Sequence, residues 1–385
     1  MRQTMIGCAL VAALGFARSA SAGTQLEPSL QISLEERYDS DLLLREEANA
    51  GGELLTKVSP KVGLEAQSEA WDADLWYSPD LMFHHGSGTV SLDHRGELKV
   101  GKRFSHRLRI AGDLQVWRVT DPTSLPRLGL AKTLSPVLYG KGDLHLDYSL
   151  TERWLGTAGI SSEAARVYEA DAAAGYVLAP YARALYRLTR RANLGLEYRF
   201  SYFHFGEAES MAHGVFGSWM YRLSRELTVN ASAGPNFYQD AAHPQSNGVV
   251  PHLVLDLERS GPRFDWGIAV GHDLVGASGF TTALWADYAS LMTGYRVSEA
   301  VRVYAVASVF RNGQAPNVGA ASWTLTGDGV GSGYAGGLGV EWKLSRILEA
   351  KATVDRYAQV ANPLLVGEPD LSRNVFALRL IATAF

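Results

Sequence analysis

Cysteine is almost absent from this chain of 385 residues, and no long hydrophobic run follows its first segment. The only cysteine is Cys8, so disulfides, thiolate metal sites and thiol chemistry are excluded from the rest of the chain. After residue 22 no apolar stretch is long enough for a membrane helix, which excludes a helical membrane protein. Charged residues make up 20% and hydrophobic ones 46%, a composition that excludes disorder.

The first 22 residues have the three parts of a secretory signal peptide. Arg2 gives a positive end, residues 5–16 form a short apolar run, and residues 20–22 (ASA) form a small-residue cleavage site. Cleavage there would take Arg2 and Arg18 from the 36 basic residues and no acid, leaving 34 against 40 and a net charge of −6. That mild acidity argues against a nucleic-acid partner. We expect residues 23–385 to form a single domain, because no change in composition marks a linker.

Polar and apolar residues alternate along most of the remaining chain. In TVSLDHRGELKVG (89–101) the charged and hydroxyl side chains form one row, and mostly apolar side chains form the other. The segments 143–150, 194–204, 334–344 and 348–357 alternate in the same way. Most run for about ten residues, against about five or six in typical soluble strands, and about ten tilted residues cross a bilayer. The pattern predicts strands with one lipid-facing row and one water-facing row.

A repeated turn motif separates many of these strands. Most of its copies have an aromatic or basic residue, an apolar one, a Ser or Thr and a polar pair; they start at residues 102, 148, 186, 221, 295 and 342 and read KRFSHRL, YSLTERW, YRLTRRA, YRLSREL, YRVSEAV and WKLSRIL. Hydroxyl side chains that bond their own backbone favour tight turns. Between these turns lie longer stretches rich in Gly, Pro, Asn and Asp.

Short turns at one end and long loops at the other are typical of outer-membrane barrels. The sequence therefore predicts an all-β protein, a closed antiparallel transmembrane β-barrel of about 18 strands with short periplasmic turns and long external loops. An aromatic girdle at the membrane interface is predicted from residues beside the turns: Trp154, Tyr186, Tyr221, Tyr295 and Trp342.

The charged rows predict a water-filled interior, because about 16 to 18 strands leave an aqueous channel. The predicted lumen-lining residues are Asp93, Arg95, Glu97, Lys99, Arg107, Arg109, Asp113, Asp143, His145, Asp147, Glu197, Arg199, Glu341, Lys343, Glu349, Lys351 and Asp355. Two interpretations stay open: ion pairs that solvate and stiffen the wall, or a solute pathway whose charge pattern sets selectivity.

The stretch 119–136 is long and carries three prolines. In many porins one long loop folds inward and narrows the pore, and by that analogy Asp121, Arg127 and Lys132 would line a constriction. An exposed external loop is the commoner case, and it would give these residues no role in the pore.

The sequence offers little support for catalysis, metal binding or phosphate binding. His84–Gly88 places His beside Ser, with Asp80 close by, but the strand–elbow–helix context of a Ser nucleophile is missing. His84 and His85 are adjacent, so on a strand they would point to opposite faces rather than share a metal. The glycine-rich segment 327–339 lacks the Lys-Ser or Lys-Thr of a phosphate-binding loop and is predicted to be a loop that leads into a strand. We expect no enzyme, no cofactor and no metal.

The mature chain as a whole resembles bacterial outer-membrane β-barrel porins. Its first hairpin, EERYDSDLLLREEANAGGELLTKVSPKVGLE (35–65), is similar to the start of a barrel-porin group that opens with Tyr-Asp-Ser-Asn-like residues; here residues 38–41 read YDSD. The terminal NVFALRLIATAF resembles the signal read by barrel-insertion machinery, ending in Phe385. Phe385 shares its row with Arg379, whereas Phe376 and its neighbours at every second position form the other row, so either face of this strand could meet lipid.

Some of the barrels that this chain resembles are associated with exopolysaccharide export. The resemblance implies a periplasmic export complex as a partner, besides the outer-membrane lipid. The first hypothesis is therefore an outer-membrane conduit for a secreted polysaccharide. A diffusion porin for small hydrophilic solutes is the alternative, and an outer-membrane hydrolase or adhesion barrel is a hypothesis of another class.

Overall fold

The computed structural model describes residues 24–40, 52–120, 136–168, 174–206, 208–240, 244, 247–275, 283–314, 330–360 and 371–384. The predicted signal peptide, Phe385 and the three predicted constriction residues lie outside these ranges, so cleavage after residue 22 stays a prediction. None of the described residues forms a helix long and apolar enough to span a bilayer.

Eighteen strands of 12 to 15 residues make up the structure. They are β1 (Gln25–Asp39), β2 (Glu53–Gln67), β3 (Trp71–His84), β4 (Thr89–Arg103), β5 (Leu108–Val119), β6 (Val137–Ser149), β7 (Trp154–Val167), β8 (Gly175–Arg187), β9 (Ala192–Phe205), β10 (Ala208–Arg222), β11 (Leu227–Asp240), β12 (Gly248–Ser260), β13 (Phe264–Val275), β14 (Leu284–Arg296), β15 (Val301–Gln314), β16 (Val330–Lys343), β17 (Leu348–Val360) and β18 (Leu371–Ala384).

These strands form one closed antiparallel sheet. Each strand pairs with its neighbours in the chain, and β1 also pairs with β18, from Leu30 opposite Ala384 to Asp39 opposite Val375. Closure gives every strand two hydrogen-bonded partners, as a sheet surrounded by hydrocarbon requires. The predicted fold class, a closed antiparallel barrel of 18 strands, is confirmed.

The two faces of the barrel differ as the alternation predicts. Leu92 on β4 is well exposed on one face, whereas Asp93 beside it is buried on the other. On the polar face, Arg302 of β15 bonds Asp265 of β13 at 2.7 Å, across Gly294 of the intervening β14. Side chains of alternate strands converge only on the concave side of a curved sheet. The polar rows therefore face the interior, and the apolar rows face outward.

The last strand obeys the same rule. Phe376, Leu378 and Leu380 are exposed on the outer row. Arg379 faces the interior, where it forms an ion pair with Glu35 across the junction of β18 and β1. The two rows that the sequence left unassigned are thereby assigned: the arginine row faces the lumen, and the apolar row meets the membrane.

The predicted turns are confirmed in their chemistry. Six four-residue turns join β4–β5, β6–β7, β8–β9, β10–β11, β14–β15 and β16–β17. In each, one hydroxyl accepts bonds of 3.0–3.3 Å from the backbone N–H groups two and three residues ahead; the hydroxyl residues are Ser105, Thr151, Thr189, Ser224, Ser298 and Ser345. Ser68 does the same between β2 and β3. This end of the barrel is called the short-turn end below.

The opposite end, called the long-connection end below, also has two short connections. Only the four residues 85–88 join β3 to β4, and only 206 and 207 join β9 to β10. Gly88 and Gly206 have φ values of 66° and 61°, which glycine adopts without steric cost and which permit such tight reversals. The glycine-rich segment 327–339, predicted to be a loop that leads into a strand, belongs to β16 from Val330 onward.

The residues of the predicted girdle lie on the outer row beside the short turns. Trp154 and Tyr186 pack together with ring centroids 4.8 Å apart, and Tyr295 and Trp342 are exposed. Amphipathic rings at this level suit the boundary between hydrocarbon and headgroups.

Replacing the turn hydroxyl should weaken the barrel at a defined place. Ser224→Ala removes the acceptor for the N–H groups of Glu226 and Leu227, and we expect a loss of about 1 kcal/mol in the free energy of unfolding. Ser224→Thr keeps a hydroxyl and should retain most of the stability. Urea unfolding in detergent micelles measures both, and equal midpoints for Ser224→Ala and wild type would show that the bonds contribute nothing.

Candidate functional site

The interior of the barrel is the candidate site. On its wall, a row of ion pairs crosses the junction of β18 and β1. Arg379 on β18 pairs with Glu35 on β1, and the Lys57 Nζ of β2 lies 3.6 Å from Glu35 Oε1 and 4.0 Å from Asp80 Oδ2 of β3. Arg95 Nε of β4 lies 3.4 Å from the same Asp80 oxygen. We call these five residues the seam network. Its signs alternate over five adjacent strands, so each buried charge has an opposite neighbour.

A second cluster is centred on Glu197 of β9. Arg183 Nε on β8 donates to Glu197 Oε2 at 2.7 Å, and Arg199 Nη2 donates to Oε1 at 2.6 Å. Glu197 is only 6% exposed, whereas the two guanidinium groups reach the lumen. Two arginines on one carboxylate leave a net positive charge on this part of the wall.

A third cluster lies on β6 and its neighbours. His145 Nδ1 is 2.6 Å from Asp143 Oδ1, and Thr157 donates to Asp147 at 2.6 Å. The Tyr181 hydroxyl of β8 reaches across β7 and donates to Asp143 Oδ2 at 3.1 Å. Sequence reasoning had placed the three β6 residues together, and Tyr181 is the partner that it missed.

A fourth cluster extends from β13 to β17. Arg302 binds Asp265 and also lies 3.5 Å from Glu341 Oε2, whose other oxygen accepts from Lys351 Nζ at 2.9 Å. Glu341 and Lys351 were predicted to line the lumen. Arg302 and Asp265 were not predicted; they are 37 residues apart in the chain and meet across β14.

Most of the other predicted lumen residues lie on the inner row of their strands. The Asp93 Oδ1 atom accepts bonds of 2.8 and 2.7 Å from Thr120, Lys99 Nζ lies 2.5 Å from Glu97 Oε1, and Arg109 Nη2 lies 3.5 Å from Asp72 Oδ1. Four more predicted residues lie on the inner row by strand register and alternation: Asp113, Lys343, Glu349 and Asp355.

Arg107 is the exception among the predicted lumen residues. It lies in the turn between β4 and β5, where its N–H donates to Ser105 Oγ and its carbonyl accepts from Ser149. Arg107 therefore belongs to the turn and not to the inner row of a strand, because β5 begins at Leu108, later than the alternation suggested. Asp121, Arg127 and Lys132 lie outside the described residues, and their place in a constriction remains a prediction.

Cations cover five aromatic rings of the inner row at 4.4 to 6.0 Å from the ring centroid. The pairs are Lys61 over Trp76, Arg95 over Trp117, Arg183 over Tyr181, Arg199 over Phe216 and Lys351 over Tyr304. A cation on a ring face is favourable by about 0.5–2 kcal/mol and occupies the surface on which a sugar would stack. Sequence reasoning missed this arrangement because the partners lie on different strands.

The residues considered for catalysis do not form a catalytic set. His84 Nε2 is 2.9 Å from Ser91 Oγ, and Ser87 Oγ is 2.7 Å from Thr89 Oγ1. Asp80 is held in the seam network, and His85 bonds Thr56 at 2.8 Å. Within the described ranges, no three His, Cys, Asp or Glu side chains gather in an arrangement that could hold a metal ion.

No family model matches this chain, and no curated protein matches it. Solved structures from Pseudomonas aeruginosa are similar over nearly the whole chain. OpdQ is 10% identical with a TM-score of 0.46 and covers 93% of this chain and 97% of its own. OpdL is 14% identical with a TM-score of 0.45 and covers 94% of this chain and 99% of its own. OprD is 12% identical with a TM-score of 0.44 and covers 93% of this chain and 95% of its own. At this identity the likeness concerns the fold alone, and function has to be inferred from the residues of this chain.

The closed 18-stranded sheet, the apolar outer rows and the polar interior define the class of this protein. It has the architecture of an outer-membrane β-barrel of the porin type.

The seam network predicts a specific effect of removing Glu35. Glu35→Gln leaves Arg379 and Lys57 facing each other without the carboxylate between them. We expect a loss of about 3 kcal/mol in the free energy of unfolding, as for other broken ion pairs that are largely buried. Urea unfolding in detergent measures it.

Glu27→Gln is the matched control for this substitution. Glu27 lies on the same row of β1 but is exposed, so its replacement should change stability by less than about 0.5 kcal/mol. Equal stability of the two variants would contradict a structural role of the seam network.

Proposed function

We propose that this protein is an outer-membrane channel for the passive diffusion of small hydrophilic solutes. The observation that carries the proposal is the inner wall, which is polar on all the strands that form the four clusters, with paired charges of both signs. Paired charges keep the wall wet and offer weak, repeated contacts to a solute. Weak binding at several places is what conduction requires.

The export of a polysaccharide has less support. A wall that conducts a polysaccharide would be expected to offer free aromatic ring faces on which sugars can stack. The five rings named above already carry a cation on one face, and Trp76 also donates its indole N–H to Glu97 at 3.1 Å. The predicted girdle residues face outward and offer nothing to a polymer inside. A polysaccharide conduit with a periplasmic partner therefore stays the second candidate.

Surrounding lipid and insertion by the barrel-assembly machinery belong to the same proposal. The outer row of β18 presents apolar side chains beside the closure, at Phe376, Leu378 and Leu380. A terminal strand with one apolar face supports recognition by a machinery that inserts barrels into membranes.

Solute flux through the reconstituted protein tests the proposal. We expect steady single-channel conductance in planar bilayers, and liposome swelling whose rate falls with solute size from glycine through glucose to a tetrasaccharide. Heat-unfolded protein in the same liposomes is the control. Absence of conductance and of swelling by glycine would overturn the diffusion channel, and passage of a polysaccharide with no passage of glycine would favour export.

The Glu197 cluster should contribute to ion selectivity. Glu197→Gln frees two guanidinium groups in the lumen, so we expect a roughly twofold or larger rise in the chloride-to-potassium permeability ratio, because charge on a channel wall concentrates counter-ions. The reversal potential in a KCl gradient measures this ratio.

Glu152→Gln is the matched control, since it removes the same charge from an exposed turn outside the lumen. An unchanged ratio in Glu197→Gln, or an equal rise in Glu152→Gln, would show that the cluster does not face the permeating ions.

A further inference from the structure

Two arginines on the outer face of the barrel lie side by side at the long-connection end. Register places Arg118 of β5 opposite Leu138 of β6, and Leu138 opposite Arg166 of β7. Each of the three is one residue from the end of its strand. Two strand spacings separate the arginines, so their Cα atoms are about 10 Å apart. His94 of β4 continues the row next to Arg118.

Neither arginine has an acidic partner in the described part of the chain. Arg118 Nη1 donates to the Leu92 carbonyl at 2.7 Å, and the Arg166 guanidinium lies 5.9 Å from the centroid of the Tyr168 ring. Among the described residues, these contacts leave most of their N–H donors and both positive charges without a carboxylate. By contrast, Arg259 on the outer row at the short-turn end pairs with Glu226 at 3.2 Å.

The depth of the pair corresponds to the level of lipid headgroups. Arg118 lies ten residues beyond Leu108 on β5, and Arg166 lies twelve beyond Trp154 on β7. At about 3.4 Å per residue and a tilt of about 40°, this places them roughly 26 to 31 Å above the short-turn edge of the barrel. The apolar band of such barrels is about 25 Å tall, so the guanidinium groups reach just beyond the hydrocarbon.

We propose that Arg118 and Arg166 form a binding site for an anionic, phosphate-bearing lipid headgroup in the leaflet at the long-connection end. The planar guanidinium fork matches phosphate oxygens and forms charge-assisted bonds with them. Exposed Val116 and Leu114, directly below Arg118 on the same row, provide an apolar surface for the acyl chains. The site depends on the membrane position of the barrel and not on the solute that the channel conducts.

Lipid retention in native mass spectrometry tests the proposal. Wild-type protein in detergent is titrated with phosphatidylglycerol or with phosphatidylcholine of the same acyl chains, and we expect preferential retention of phosphatidylglycerol. Arg118→Gln/Arg166→Gln should bind phosphatidylglycerol about thirtyfold more weakly, as expected for two basic residues at an anionic surface. Arg259→Gln should bind as wild type does.

Four results would overturn the proposal. The first is equal retention of both lipids by wild type, the second is undiminished phosphatidylglycerol binding in the double variant, and the third is an equal loss of binding in Arg259→Gln. The fourth is displacement of the lipid by an equal concentration of inorganic phosphate, which would identify a site for the free ion. If the double variant does not fold, Arg118→Gln and Arg166→Gln are measured singly, each with an expected loss of about fivefold.

Discussion

The structure depends on one constraint, which is that a backbone surrounded by hydrocarbon must satisfy its hydrogen bonds from within. A sheet meets that requirement only if its first and last strands pair, as β1 and β18 do over ten residues of each strand. Once the sheet is closed, every side chain must point either to lipid or to the lumen. Every other feature of the molecule follows from this division into two faces.

On the inner face, closure brings together charges that are distant in the chain. Glu35 and Arg379 are 344 residues apart in sequence and form an ion pair across the junction of β18 and β1. Ion pairs that water reaches contribute little to stability, whereas the largely buried carboxylates of Glu35, Asp80 and Glu197 need their cations. The same networks that hold the wall also set the charges that a permeating solute meets, so stability and selectivity share residues.

The sequence predicted the strands, their number and the hydroxyl-bonded turns, because alternation and turn chemistry are local. It also predicted which charged residues of β4, β6, β9, β16 and β17 share the inner row. It could not predict their partners, since Lys57, Asp80 and Arg302 meet them through strand register and curvature, which no local pattern encodes. Arg107 was predicted to lie on a strand, but it lies in a turn because β5 begins later than the alternation suggested. The short reversals at Gly88 and Gly206 show that two connections at the long-connection end are as short as the turns at the other end.

The alternation of two faces can be measured residue by residue. Cys8 is the only native cysteine, so in a Cys8→Ser background single cysteines can be placed at Leu114, Gln115 and Val116 of β5 in reconstituted liposomes. The fold predicts that a water-soluble maleimide labels the cysteine at 115 and leaves those at 114 and 116 protected by lipid. Equal labelling at all three positions, or protection of 115 alone, would contradict a closed barrel with a wet interior.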